Sequence, residues 1–152
     1  MPTPQKVARA LAGAMLTMAL AMPAQAATDD CVRKLAACPD KPNCVATNDA
    51  LPDRRYPPLK VKGDPSITWA RIVETLLAQE RTRKLAEESG YLHATFTSAV
   101  FEFVDDVELT FCNANQELWL RSASRKGYWD IGANSSRVED LVEKWRSESL
   151  VE

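Results

Sequence analysis

The stretch YLHATFTS at residues 91–98 alternates between apolar and polar side chains. In an extended chain this spacing places the apolar residues on one side and the polar residues on the other. The same alternation recurs twice before residue 121, with turn-forming residues 113–116 between the two runs. The residues predicted to point inward are Leu92, Ala94, Phe96, Val107, Leu109, Phe111, Leu118 and Leu120. These runs predict antiparallel strands, and a weaker strand is predicted over residues 82–87.

Two amphipathic helices are predicted to flank these strands. Asp64 and Pro65 are typical of a helix start, and this first helix should end near Arg81. The second helix is predicted to begin with a capping box formed by Ser136 and Glu139. The apolar stripes are Trp69, Ile72, Val73 and Leu76 in the first helix and Val138, Leu141, Val142 and Trp145 in the second. Two helices and about four antiparallel strands predict a two-layer α+β domain over residues 66–152.

Residues 1–26 have the pattern of a secretory signal peptide. A basic start precedes an uncharged run at residues 10–22, and a small-x-small cleavage site ends at Ala26. As a helix that run would span about 20 Å, which is short of the roughly 30 Å hydrocarbon core of a bilayer. We therefore expect cleavage after Ala26, a periplasmic or secreted protein, and no stable membrane insertion afterwards. A retained membrane anchor is the alternative.

Residues 27–65 hold six of the nine prolines, so this segment is predicted to be an extended arm that forms one folding unit with the domain. Export would place the four cysteines in an oxidising compartment. Cys38 and Cys44 flank a short Pro-rich loop, and Cys31 with Cys112 would then hold the arm to the body. Four cysteines allow three pairings, and this is the one that we favour. A four-cysteine zinc site is disfavoured because no C-x₂-C motif occurs.

The charge balance argues against nucleic acid as a partner. The chain has 19 basic and 21 acidic residues, for a net charge of −2, whereas nucleic-acid-binding domains usually carry an excess of Lys and Arg. A single histidine excludes a multi-histidine metal site. We predict neither a metal nor a cofactor.

Residues 121–137 carry the densest group of candidate binding residues. This segment leaves a strand, crosses a loop with two glycines and enters a helix, whose N-terminus favours negative charge. Its basic and hydroxyl side chains suit phosphate, sulfate or carboxylate. The candidate ligand-binding residues are Arg121, Ser124, Arg125, Tyr128, Asn134 and Arg137. The alternative is that the arginines pair with Asp105, Asp106 and Glu108 of a neighbouring strand, which requires no ligand.

His93 is the only imidazole base available for nucleophilic catalysis. A hydrolase that uses His93 with Ser122 and Asp105 is one alternative, although no G-x-S-x-G motif is present. A purely structural envelope module is another. Trp119 and Trp129 lie near arginines and could stack on a ring or a sugar, or instead cover the edge of the core.

Several blocks of the sequence resemble the DUF1499 family of unknown function. They lie in order between residues 36 and 146, and they read CPDKPNCV at 38–45, RYPPL at 55–59, FVDDVE at 103–108, RSASRKGY at 121–128, DIGAN at 130–134 and RVE at 137–139. The resemblance implies a small protein, often with an export signal or membrane segments, and no established activity or catalytic residues. Ala46-Thr47 and Ser135 depart from the family pattern, which commonly has Ser-Ser and a second basic residue there. Cys31 and Cys112 look like additions of this chain, which supports their pairing with each other.

Together these observations predict an exported α+β domain that binds without catalysis. The expected partner is a small anionic ligand or an unknown envelope partner, contacted through residues 121–137.

Overall fold

A computed structural model of the chain describes residues 35–152. The predicted signal peptide over residues 1–26 and the predicted partner of Cys112, which is Cys31, lie outside the described residues. Both therefore remain predictions. In the described part of the chain, no helix is long and apolar enough to cross a membrane.

The described residues form one antiparallel sheet of six strands with two helices, which confirms the predicted α+β class. The strands are β1 (Cys44–Ala46), β2 (Leu59–Lys60), β3 (Thr82–Glu88), β4 (Tyr91–Thr97), β5 (Val104–Cys112) and β6 (Glu117–Ser124). The helices are α1 (Pro65–Leu77) and α2 (Ala133–Ser147). The three strands predicted from alternation are β4 to β6, and the weaker predicted strand is β3, which forms an exposed edge of the sheet with a register shift between Lys84 and Ala86.

The Pro-rich arm contributes the two short strands. Both β1 and β2 pair with β6, in registers that set Cys44 opposite Ala123 and Leu59 opposite Leu118. Leu59 is buried in the core, and Tyr56 packs against it. The predicted Cys38–Cys44 disulfide is present, and it closes a small ring directly before β1. The arm is therefore part of the sheet rather than a wrapping added to it.

Both helices bury their apolar stripes with one face of the sheet. The core contains the inward residues of β4 to β6, together with Ile72, Val73 and Leu76 from α1 and Val138, Leu141, Val142 and Trp145 from α2. The fourth predicted residue of the α1 stripe, Trp69, packs against this core and is partly buried. Spacing at i, i+3, i+4 and i+7 therefore identified the buried side of each helix.

The start of α1 is as predicted, and its end is earlier. The Asp64 carboxylate accepts hydrogen bonds from the backbone N–H groups of Ser66 and Ile67, both at 3.0 Å. The helix ends at Leu77 rather than near Arg81, which has a left-handed backbone with φ of 55° and immediately precedes β3. The shorter helix leaves room for the chain to enter the edge strand.

The predicted capping box of α2 is wrong. The helix begins at Ala133, so Ser136 and Glu139 lie inside it, and Gly132 precedes it with φ of 77°. Asp130 caps the helix instead, because its carboxylate accepts from the backbone N–H groups of Gly132 at 3.0 Å and Asn134 at 2.9 Å. Glycine suits this position because side-chain-bearing residues are strained in the left-handed region.

Trp145 is the largest fully buried side chain, so its substitution tests how much core packing contributes to stability. Its indole Nε1 has no hydrogen-bond partner in the described part of the chain, so its contribution is packing alone. Trp145→Ala should lower the free energy of unfolding by about 3–5 kcal/mol. Trp129→Ala is the matched control, since Trp129 is 66% exposed and should cost less than about 0.5 kcal/mol. Urea unfolding followed by circular dichroism measures both; equal losses would contradict the packing described.

Candidate functional site

Strand alternation divides the polar residues of β5 between the two faces of the sheet. Asp105 lies opposite Phe96 and Ser124, on the face that the helices cover. Asp106 pairs with Thr95 and Ala123 across the strands, and its side chain lies on the other face of the sheet. Glu108 lies on the same face as Asp106. Adjacent carboxylates therefore belong to two separate clusters.

The first cluster, which we call the inner network, lies on the helix-covered face at the start of α2. Its members are Asp105, Ser122, Ser124, Asp130, Asn134 and Arg137. Asn134 is 1% exposed and is its centre. Its amide nitrogen has two hydrogens to donate and lies within hydrogen-bond distance of three acceptors, Asp130 at 2.7 Å, Ser124 at 2.9 Å and the backbone oxygen of Asn43 at 3.1 Å. Its amide oxygen accepts from Ser122 at 2.6 Å and Arg137 at 2.9 Å.

Arg137 joins the inner network to the sheet. Its guanidinium donates to Asp105 at 2.6 Å and to Ser122 at 3.1 Å, and it stacks over the ring of Phe96 at 4.9 Å from the centroid. The side chains of Arg137 and Asp105 are only 16% and 7% exposed. A charge pair this shielded is costly to break, because removal of one partner leaves the other buried without a counter-charge.

The second cluster, the outer network, lies on the opposite face of the sheet. Its members are Tyr91, His93, Asp106, Glu108, Arg121 and Arg125. Arg125 binds Asp106 in a bidentate manner at 2.9 and 2.8 Å, and His93 Nε2 lies 2.8 Å from the same carboxylate. Burial acts to raise the pKa of Asp106, but the hydrogen bonds from Arg125 and His93 outweigh it and hold the pKa below its ordinary value.

Glu108 is the second acceptor of the outer network. It accepts from Arg121 at 2.7 Å and from the Tyr91 hydroxyl at 2.8 Å. Burial and the neighbouring carboxylate raise the pKa of the Tyr91 phenol well above its usual range, so Tyr91 stays a protonated donor. Arg121 keeps a buried Nε without a partner in the described part of the chain.

Above the inner network, two loops expose large apolar side chains at one end of the sheet. We call residues 98–103 and 125–131 the loop pair. The exposed side chains are Val100, Phe101, Phe103, Tyr128, Trp129 and Ile131, with exposed fractions between 53% and 80%. The Phe101 and Phe103 rings stack with centroids 5.6 Å apart. Single exposed apolar residues are ordinary, but six in two adjacent loops mark a contact surface.

A cleft of about 400 Å³ lies between the two loops. Its apolar walls include Phe101, Phe103, Trp129 and Ile131, and its polar lining includes Asp105, Ser124, Lys126 and Arg137. Two other clefts, of about 460 and 480 Å³, are lined by mixtures of polar and apolar residues. The cleft of the loop pair therefore combines apolar walls with a charged floor, as ligand pockets commonly do.

Residues 34–145 match the family model described as protein of unknown function (DUF1499). The match covers well over half of the chain. The chain belongs to the DUF1499 family. No curated protein and no solved structure matches.

Five of the six sequence blocks that resemble the DUF1499 family meet at one end of the sheet. The block at 38–45 supplies Asn43, whose side chain donates to the backbone oxygen of Gly127 at 2.9 Å. The block at 103–108 supplies the carboxylates, and the blocks at 121–128 and 130–134 supply their partners. These five blocks supply all of the inner network, including Arg137, and four residues of the outer network, so they build one region. The sixth block, at 55–59, leads into β2, which pairs with β6 at Leu118.

The structure places the three candidate arginines in internal ion pairs. Each of Arg121, Arg125 and Arg137 is paired with a carboxylate of β5. Because Arg137 lies on the helix-covered face and the other two on the opposite face, the three cannot hold one anion together. The three arginines therefore pair with Asp105, Asp106 and Glu108, as the alternative prediction of internal pairing described.

The other predicted ligand-binding residues fall into two groups. Asn134 is buried and already bonded through both atoms of its amide group, so it positions the network rather than meeting a ligand. Ser124 lines the cleft, whereas Tyr128 is 70% exposed in the loop at residues 125–131. Phe101, Phe103 and Ile131 were not predicted as site residues. The available signal was the apolar run AVFEF at 99–103, which falls in a loop between two strands.

The alternative triad of His93, Ser122 and Asp105 is not assembled. His93 opposes Glu108, whereas Ser122 opposes Val107, so the histidine lies on the opposite face from the other two residues. Ser122 donates to Asn134, and His93 contacts Asp106. Within the described part of the chain, no group of three or more His, Cys, Asp or Glu side chains is placed to hold a metal ion.

Asn134→Ala should strongly destabilise the protein. The substitution removes one hydrogen-bond partner from each of Ser122, Asp130 and Arg137, at an expected cost of about 2–4 kcal/mol. The control is Asn113→Ala, which removes an exposed amide and should cost less than about 0.5 kcal/mol. Urea unfolding gives both values, and a cost for Asn134→Ala as small as that of the control would contradict the role assigned to the amide.

Asp106→Asn should reduce the loss of stability on acidification. The pKa of Asp106 is lowered in the folded protein, so its stabilising effect is present above the unfolded value of about 3.9 and is lost as the pH falls through the folded pKa. The wild-type protein should therefore exceed the variant in stability most at neutral pH, and the difference should shrink below about pH 4.

Urea unfolding across this pH range measures the Asp106 effect. Glu143→Gln is the control, because it removes an exposed carboxylate of α2. A stability difference for Asp106→Asn that stays constant down to about pH 2 would contradict the assignment.

Proposed function

We propose that this DUF1499 protein is an exported, non-enzymatic binding domain whose loop pair takes up an amphiphile with an anionic head group. The observation that carries the proposal is the cleft of about 400 Å³, in which apolar walls adjoin a polar lining that includes Lys126, Asp130 and the Arg137–Asp105 ion pair. Each CH₂ group of an apolar chain that leaves water there would contribute about 0.8 kcal/mol.

The charge distribution favours an amphiphile over a free inorganic anion. The three arginines are paired internally, so none is left as a strong anion site by itself. Lys126 is exposed and makes no ion pair within the described part of the chain. One exposed cation contributes about 1 kcal/mol at most, so most of the affinity must come from apolar contact.

Binding without catalysis is supported by the positions of the reactive side chains. The single histidine of the chain is held against Asp106 on the face of the sheet opposite the cleft floor. Ser122 is fully buried and donates to Asn134. Neither group is available to a ligand between the loops.

Export is supported by the signal-peptide pattern and by the disulfide. Residues 1–26 have the composition of a cleaved signal, and the Cys38–Cys44 bridge suits an oxidising compartment such as the periplasm. The ring that this bridge closes carries Asn43, which contacts both Gly127 and Asn134. Formation of the Cys38–Cys44 disulfide therefore helps to hold the loop at residues 125–131, which lines the cleft.

Decyl phosphate, used below its micelle concentration, should bind saturably and change the fluorescence of Trp129. Inorganic phosphate should give no response, and decanol should bind more weakly. Lys126→Ala should weaken binding by about fivefold, which corresponds to one exposed ion pair. Ile131→Ser should weaken it by about tenfold through lost apolar contact.

Matched substitutions elsewhere act as controls for decyl phosphate binding. Lys144→Ala removes an exposed lysine from the last turn of α2, and Ile67→Ser removes an isoleucine that is 68% exposed on α1. Both should leave the dissociation constant unchanged, and Trp129→Phe should remove the fluorescence response. If decyl phosphate binds no better than phosphate, or if the loop variants behave like their controls, the proposed function is wrong.

A purely structural module is the second candidate, and the internal pairing of the arginines favours it. In that case Arg121→Ala lowers stability because Glu108, which is 6% exposed, loses its counter-charge. The loop-pair variants would then change no binding property. The decyl phosphate titration therefore separates the two candidates.

A further inference from the structure

We infer that the loop pair docks on the surface of a lipid bilayer with anionic head groups, and that this surface supplies the amphiphile. The inference rests on the proposed function, because it names the source of the ligand for the same cleft. The side chains that would enter the acyl region are Phe101, Trp129 and Ile131, with Lys126 at the level of the phosphates.

The first support is the way in which the apolar side chains project. Val100, Phe101 and Ile131 are 79%, 72% and 80% exposed, so most of each side chain is available to enter a lipid surface. They occupy the tips of two neighbouring loops at one end of the sheet. A lipid surface accepts projecting side chains without a complementary shape, whereas a protein partner would need a hollow for each of them.

The second support is the residue types. Trp129 and Tyr128 combine an apolar ring with a polar group, which suits the boundary between acyl chains and water. Lys126 can place its apolar stem along the same boundary while its ammonium stays with the phosphates. A basic residue close to an anionic surface contributes about 1 kcal/mol.

The third support is the pairing of nearby carboxylates. Asp105 and Asp106 are both paired with arginines. Glu102 and Asp130 make no ion pair in the described part of the chain, and Asp130 accepts hydrogen bonds from the backbone N–H groups of Gly132 and Asn134. Glu102 is exposed and opposes docking on an anionic surface, so its removal should strengthen docking.

The fourth support is that the loops are held in place before docking. The backbone N–H of Ser98 donates to Phe103 at 2.8 Å, and the Ser98 hydroxyl accepts from the Phe103 N–H at 2.9 Å. The Asn43 side chain holds Gly127 at 2.9 Å. Little loop entropy is therefore lost when the apolar tips enter the bilayer.

The test uses the full chain and a signal local to Trp129, because the apolar run at residues 10–22 could attach the chain to vesicles by itself. Vesicles contain phosphatidylcholine alone or with about one third phosphatidylglycerol, and a fraction of the lipid is brominated along its acyl chains. Bromine quenches tryptophan only at short range. We expect quenching in the anionic vesicles, loss of that quenching in Trp129→Phe, and weaker quenching without phosphatidylglycerol.

The variants assign the docking surface. Ile131→Asp should weaken docking by at least about tenfold, and Lys126→Ala should weaken it by about fivefold. Glu102→Gln should strengthen it. Ile67→Asp and Lys144→Ala, which change exposed residues of the same types elsewhere, should leave quenching unchanged.

The outcomes separate this inference from the proposed function. Binding of decyl phosphate without quenching in any vesicle overturns the bilayer inference and leaves the proposed function standing, whereas failure of both overturns both. Equal quenching without phosphatidylglycerol, or quenching that Ile131→Asp leaves intact, also overturns the inference. If the wild-type protein forms dimers, Ile131→Asp dissociates them and no vesicle quenches Trp129, then the loop pair contacts a second copy of the chain instead of a bilayer.

Discussion

The side-chain amide of Asn134 connects the parts of the chain on which the site depends. One amide group joins the start of α2, the end of β6 and the disulfide ring through Ser122, Ser124 and the backbone of Asn43. An asparagine suits this position because it donates and accepts at once without carrying charge. A buried polar network of this kind rigidifies a structure only when every member is satisfied. The loop between Ser124 and Ala133 is held at both ends by this one residue.

A second constraint is the two-residue period of an extended chain. Asp105 and Asp106 are adjacent in sequence, yet they meet different arginines because successive side chains point to opposite faces. A one-residue slip of β5 would exchange their environments and place Asp106 beneath the helices. The ion pairs therefore specify the register of the sheet in addition to stabilising it.

The sequence predicted most of the fold, because alternation and helical spacing are local signals. Asp64 with Pro65 marked the start of α1, since both residues act on the backbone next to them. The capping box at Ser136 and Glu139 was wrong because a serine and a glutamate three residues apart also occur inside helices. Asp130, which caps α2 instead, acts from outside the helix across a glycine turn. The two short strands of the arm were missed because they form only where β6 is already in place.

The candidate site was less predictable than the fold. Residues 121–137 were identified correctly as a dense polar segment, but their partners depend on the register of β5 against β6. The exposed fraction of Phe101 or Ile131 depends on how two loops meet, and no periodic pattern records it. Pairing of the arginines was an open alternative from sequence and became definite only when each side chain was placed on a face.

The edge strand β3 has a consequence for the behaviour of the protein at high concentration. All but its first residue are exposed, and they include Arg83, Lys84, Glu87 and Glu88. The register shift between Lys84 and Ala86 also interrupts the even spacing of its backbone groups. A second copy of the chain that tried to pair a strand with β3 would encounter charged side chains and backbone donors and acceptors that are out of register. These features of β3 therefore disfavour aggregation through strand pairing, even though β3 is an edge strand whose outer backbone groups are unpaired in the sheet.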